Sequence, residues 1–289
     1  MASRRAPASR RPASRRRPPP RRSGGSDLGK RILVAIPAIA FAITIIYFGG
    51  ATFALGALAL GLVCAHELFT MLERMRPVRL AGFLGIAGLV AGAALGDERD
   101  VLLALVAFLP VLFALTLLSP VRERITLSLA ATTLGVYWIG LALAHAVLLR
   151  GLDHGGALVF MVLLGTFAGD TGAYLGGRAF GTRRLAPRVS PNKTWEGLAI
   201  GVAVCVLAVW YTSRTYDGSW ISGTQGLLLG LAVALAAPVG DLFESLIKRD
   251  VGTKDTGGLF GVHGGALDRL DAALFSLIAG YHAWLATIS

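Results

Sequence analysis

Ser245–Asp271 reads SLIKRDVGTKDTGGLFGVHGGALDRLD: charged, rich in glycine and aspartate, and bounded on both sides by apolar chain. Upstream, the run from Gln225 to Val239 enters it through Gly240-Asp241-Leu242-Phe243-Glu244. Downstream, Ala272 to Ile288 begins with no polar spacer. About 20 apolar residues suffice for a helix to cross a bilayer, so the flanks read as membrane helices. Ionised groups at such helix ends are costly and usually functional. Chemistry is therefore expected where Asp241, Glu244, Asp268 and Asp271 meet the membrane surface.

The rest of the chain agrees with a membrane setting. It has 289 residues, 54% hydrophobic and 16% charged, with a mean hydropathy of +0.64. The expected fold class is all-α: a polytopic membrane protein with about nine transmembrane helices, since helices satisfy their own backbone polar groups in lipid. Cys64 and Cys205 lie inside apolar runs without CxxC or CxxH spacing. They read as small buried hydrophobes and not as a disulfide or a zinc site. The net charge is +11, but residues 1–31 hold ten arginines and one lysine against one aspartate. The body is thus nearly neutral. The Arg/Pro/Ser-rich residues 1–30 are expected to be a disordered basic cytoplasmic tail that lies against anionic lipid; no nucleic-acid partner is expected.

The spans are expected near 32–48, 51–71, 80–96, 101–118, 126–149, 157–177, 197–212, 225–247 and 267–288. With the tail inside, the inner connections carry fourteen lysines and arginines, and the outer ones only Arg99, Arg150 and Arg214. The positive-inside rule then places the N-terminus in the cytoplasm and the C-terminus outside. Residues 31–150 would form N-terminal transmembrane helices, and residues 151–289 a C-terminal transmembrane catalytic region.

Two polar regions carry the chemistry, and both fall on the inner face. The first is Asp170–Gly197, DTGAYLGGRAFGTRRLAPRVSPNKTWEG. Here an intramembrane Asp170 precedes a basic loop containing Ser190, Lys193, Thr194 and Glu196. Lysine and hydroxyl groups near a helix N-terminus suit a polyphosphate; the alternative is a plain basic loop with Thr194 as helix cap. In the second region Asp241, Glu244, Ser245 and Lys248 recur at i, i+3, i+4 and i+7, sharing one helical face. Gly264-Gly265 then leads to Asp268 and Asp271. Carboxylates on two helix ends, joined by a basic glycine-rich loop, suit a hard divalent cation and a phosphate chain. The competing reading is salt bridging, such as Asp268 with Lys248.

These residues resemble the signature of the CDP-diacylglycerol synthase (phosphatidate cytidylyltransferase) family, S-x-x-K-R-x4-K-D-x-G-x2-F-G-x-H-G-G-x-x-D-R-x-D. It is matched by Ser245, Lys248, Arg249, Lys254, Asp255, Gly257, Phe260, Gly261, His263, Gly264, Gly265, Asp268, Arg269 and Asp271. Ala266 stands where the family has a larger aliphatic residue, and the S-P-x-K-T-x-E-G element recurs at Ser190–Gly197. About the last 120 residues carry the likeness. It implies nucleotidyl transfer from CTP to phosphatidic acid with Mg2+, at the plasma membrane, the active site facing the cytoplasm. It leaves room for a homodimer. Asp241 and Asp268 would hold the metal, with Asp170 and Asp271 as weaker candidates. Lys193, Lys248, Arg249 and Lys254 would neutralise phosphates, and His263 could act as acid or base. Ser190, Thr194, Glu196, Ser245, Asp255, Gly264, Gly265 and Arg269 would contact substrate.

Weaker signals are read as structural. His154-Gly155-Gly156 repeats the HGG tripeptide on the outer side without following carboxylates. His145 and His282 read as hydrogen-bonded core residues. Glu67 reads as an interfacial cap or a partner of Arg74, the alternative being that it reaches the site. A CTP-using polyprenol kinase and a proton-coupled transporter are the rival functions.

Overall fold

The computed structural model describes residues 26–119, 123–215, 220–253, 256–257 and 265–288, with side chains from residue 36 onward. Lys254, Asp255, His263 and Gly264, like residues 1–25, lie outside the described residues. Among those described, the long helices are α1 (Ser26–Phe48), α2 (Gly50–Met71), α3 (Arg79–Leu95), α4 (Glu98–Leu118) and α5 (Ile125–Gly151), the last with a π turn at Val136–Gly140. They continue as α6 (Gly155–Phe180), α7 (Trp195–Thr215), α8 (Gly223–Asp250) and α9 (Leu267–Ile288). Six of them (α2, α4, α5, α6, α7 and α8) are long and apolar enough to cross a membrane. The chain is a multi-pass membrane protein of the all-α class. Helix α1 starts at Ser26, inside the stretch expected to be tail.

Local sequence sets the helix boundaries. Asp97 and Asp100 form a reciprocal capping box at the start of α4, and Ser222 with Gln225 forms another at α8. Such caps satisfy backbone N–H groups that the first helical turn leaves unpaired. Between α6 and α7 the chain makes an antiparallel hairpin, β1 (Arg184–Ala186) with β2 (Ser190–Thr194), a small exception to the all-helical expectation.

Helices α6 and α7 pack closely because glycines face the contact. A Cβ on Gly172 would stand 2.8 Å from Val204, and one on Gly201 would stand 2.7 Å from Ala173. Small residues let backbones approach where lipid offers no hydrophobic drive for association. Helix α9 packs against both α8 and α5, joining the N-terminal helices to the C-terminal ones.

Contacts between connections sort them onto two faces. Arg124 donates to the Arg74 carbonyl, Arg249 Nε donates to the Val189 carbonyl at 3.1 Å, and Glu67 near the end of α2 meets Leu267 at the start of α9, so the basic connections share one face. On the other face Arg150 Nε donates to Ile46 O at 2.9 Å and His154 stacks on Trp220 with centroids 4.4 Å apart. The HGG copy at His154 is therefore a packing element. His145 and His282 meet each other, Nε2 to Nε2 at 3.2 Å, while His145 Nδ1 donates to the Leu141 carbonyl at 2.8 Å.

Candidate functional site

The hairpin and the end of α8 bring the two polar regions together. Lys193 on β2 reaches Asp241 on α8, Nζ to Oδ2 at 2.6 Å. Helical spacing places Ser245 one turn beyond Asp241, and its Oγ lies 3.4 Å from Asp241 Oδ1. One turn further, Lys248 is held by the Glu244 carboxylate and by Asp268 Oδ1 at 2.9 Å. The side chains of Lys248, Glu244 and Asp268 are only 14%, 1% and 13% exposed. Burial there makes each charge depend on its partners. The salt bridge that stood as the competing reading of Asp268 is thus present.

Asp268 has a second task. It accepts from Gly265 N at 2.7 Å and Thr256 N at 3.1 Å, tying both described ends of the glycine-rich loop to the start of α9. With Lys248 and two amides on it, Asp268 is committed. Asp170 on α6 and Asp271 on α9 both lie in electrostatic reach of Asp241, and Asp271 also faces Glu244. Gly240, next to Asp241, packs on the Asp271 backbone, where an added Cβ would lie 2.4 Å from Asp271 O, so Asp271, which ranked as a weaker metal candidate, stands near Asp241. Asp170 is exposed and lines a small cavity together with Thr166, Gly169, Gly201, Cys205 and Pro238.

Other residues build the frame. Glu196 accepts from Thr182 Oγ1 at 2.6 Å and from the backbone of Thr182 and Arg183, closing the base of the hairpin. Thr194 Oγ1 accepts from Gly197 N at 3.1 Å, the bond of a helix cap. Arg249 grips the hairpin turn through Val189 O. The structure therefore places Thr194, Glu196 and Arg249 where they shape the loop that carries Lys193. Ser190 opens β2, paired with Ala186, and Arg269 is exposed on the first turn of α9.

Glu67 departs from its expected role. Its carboxylate turns from Arg74 to the start of α9, where Oε2 accepts from Leu267 N at 3.0 Å. The only signal in the sequence was a carboxylate near the end of an apolar run; its partner lies 200 residues away.

Among the described residues five carboxyl groups, Asp170, Asp241, Glu244, Asp268 and Asp271, gather with two lysines, Lys193 and Lys248. Among the described residues Glu244 Oε1 is buried with no donor on it, and the Glu244 carboxyl faces that of Asp271. Clustered carboxyl oxygens with no nitrogen or sulfur donor among them fit a hard divalent cation. Among the described residues no three His, Cys, Asp or Glu side chains form a ready cage. Water and substrate phosphates would complete the shell, as is usual for Mg2+.

Residues 29–286 match the cytidylyltransferase family. A phosphatidate cytidylyltransferase of Brucella melitensis is 34% identical over 251 residues, covering 85% of this chain and 89% of that protein. Proteins of the same name from Mycobacterium leprae and Mycobacterium tuberculosis are 38% and 37% identical over 155 and 159 residues. Those alignments cover 53% and 54% of this chain, and the chain spans about half the length of these mycobacterial relatives.

Proposed function

Because this chain belongs to the cytidylyltransferase family, we propose that it is a phosphatidate cytidylyltransferase, converting CTP and phosphatidate to CDP-diacylglycerol and diphosphate. The observation that supports this most is the Lys193–Asp241 contact of 2.6 Å, which joins two polar regions into one site at the ends of apolar helices. A water-soluble nucleotide and a lipid phosphate can meet only at such an edge.

In the reaction a phosphate oxygen of phosphatidate attacks the α-phosphorus of CTP. A new P–O bond forms, the bond to the β-phosphate bridging oxygen breaks, and diphosphate leaves with the electron pair. Transfer of this kind needs alignment and charge neutralisation more than covalent help from the protein. Lys193 rides on the hairpin that Glu196, Thr194 and Arg249 hold in place, so its ammonium is positioned to exchange Asp241 for a substrate phosphate. Lys248, fixed between Glu244 and Asp268, keeps the start of α9 in register with α8. Asp241, with Asp170 and Asp271 beside it, would hold Mg2+, which when bound supplies positive charge for the triphosphate and the departing diphosphate. The basic connections share the site's face, so the positive-inside rule turns it to the cytoplasm, where CTP is available, and the plasma membrane is the expected location.

Incubating the purified full chain with labelled CTP, phosphatidate and Mg2+ tests this. The expected product is a CDP-lipid, with diphosphate released in equal amount. A phosphorylated lipid with CDP released, or no turnover, would overturn it.

A further inference from the structure

Glu67 sits in α2, far in sequence from the polar regions, yet it is 4% exposed and faces the site's glycine-rich loop. Its Oε2 accepts from Leu267 N, the first residue of α9. Both described ends of the loop are seated on the same carboxylate. A Cβ on Gly257 would lie 2.8 Å from Glu67 Oε1, and a Cβ on Gly265 would lie 2.3 Å from Glu67 Oε2. A side chain at either position would have to displace the Glu67 carboxylate. Among the described residues neither Glu67 Oε1 nor Thr256 Oγ1 has a hydrogen-bond partner. Asp268 binds Thr256 N and Gly265 N, so the same two loop ends are gripped by two carboxylates.

We propose that Glu67 is a positioning residue for nucleotidyl transfer: it pins the ends of the glycine-rich loop and the first turn of α9 to the N-terminal helices. This rests on the cytidylyltransferase reading of the site. Through Leu267 it sets where Asp268, and so Lys248, stands relative to Lys193 and Asp241. Small displacements at such a centre are costly, because catalysis by alignment loses about a hundredfold for a shift of about 1 Å. The contact also gives α2 a part in a site otherwise drawn from the C-terminal helices.

The test uses the full chain in detergent and compares Glu67→Ala, Glu67→Gln, Glu67→Asp, Gly257→Ala and the Glu67→Ala/Gly257→Ala double variant. Glutamine keeps the length and a carbonyl that accepts from Leu267 N, so kcat/KM for CTP should stay within about threefold of wild type. Glu67→Ala should lower it about tenfold or more, and Glu67→Asp, one methylene short, should do the same if the alanine variant does not fold. Gly257→Ala should be impaired alone but add less than about twofold in the Glu67→Ala background, because the group it collides with is gone. Amide exchange of the 265–270 segment, read by mass spectrometry, should speed up in Glu67→Ala and remain near wild type in Glu67→Gln. That readout is independent of turnover. An inactive wild type with this exchange pattern would overturn the reaction and keep the pin. Wild-type exchange in both Glu67→Ala and Glu67→Asp, a glutamine variant as impaired as alanine, or an additive double variant would overturn the pin.

Discussion

At the scale of single residues, the site depends on two lysines in different surroundings. Lys193 and Asp241 keep side-chain exposures of 24% and 34%, so solvent screens the pair and its contribution to stability is small, about 1 kcal/mol or less. Its value lies in placing charge for the substrate phosphates. Asp241→Asn and Lys193→Met should each lower kcat about a hundredfold or more, with a melting temperature close to wild type in detergent. Near-normal turnover in Asp241→Asn would remove it as a metal holder and leave Asp170 or Asp271. Lys248 differs in that Glu244 and Asp268 are nearly sealed around it. Lys248→Met strands two buried anions, at a cost of about 3 kcal/mol, and should show as a clear fall in melting temperature as well as lost activity.

At the scale of elements, the hairpin and α7 act as one bracket. Thr194 is 5% exposed and caps α7 through Gly197 N, while Glu196 in the first turn of α7 closes the hairpin base. Thr194→Ala should cost about 1 kcal/mol and loosen the bracket, and Thr194→Ser should restore both stability and turnover. Thermal unfolding together with the KM for CTP checks this; an unchanged KM in Thr194→Ala would separate the cap from the site. The α6–α7 contact is a harder constraint. Gly172→Val drives a branched side chain into Val204 and should destabilise by about 1–3 kcal/mol, seen as a lower melting temperature at unchanged expression.

At the scale of the whole molecule, the basic connections gather on one face and the site lies on that face. A cysteine introduced at position 185, in β1, should react with an impermeant reagent only from the cytoplasmic side, and a reporter fused after Ser289 should signal the opposite side. Labelling of position 185 from outside would invert the assignment. The sequence by itself determined the membrane class, the approximate helix boundaries, the segregation of charge and the two polar regions. Hydropathy, capping residues and lysine–arginine bias are properties of short stretches, legible wherever the chain folds. It also paired Ser245 and Lys248 with the carboxylates one turn before them, because helical spacing is local. Only the tertiary structure decided the partners across helices: Lys193 with Asp241, Asp271 near Asp241, Asp268 on the loop amides, and Glu67 under the glycines. Those contacts depend on the angle, offset and rotation at which packed helices cross, which small residues permit but periodicity along a single helix does not encode.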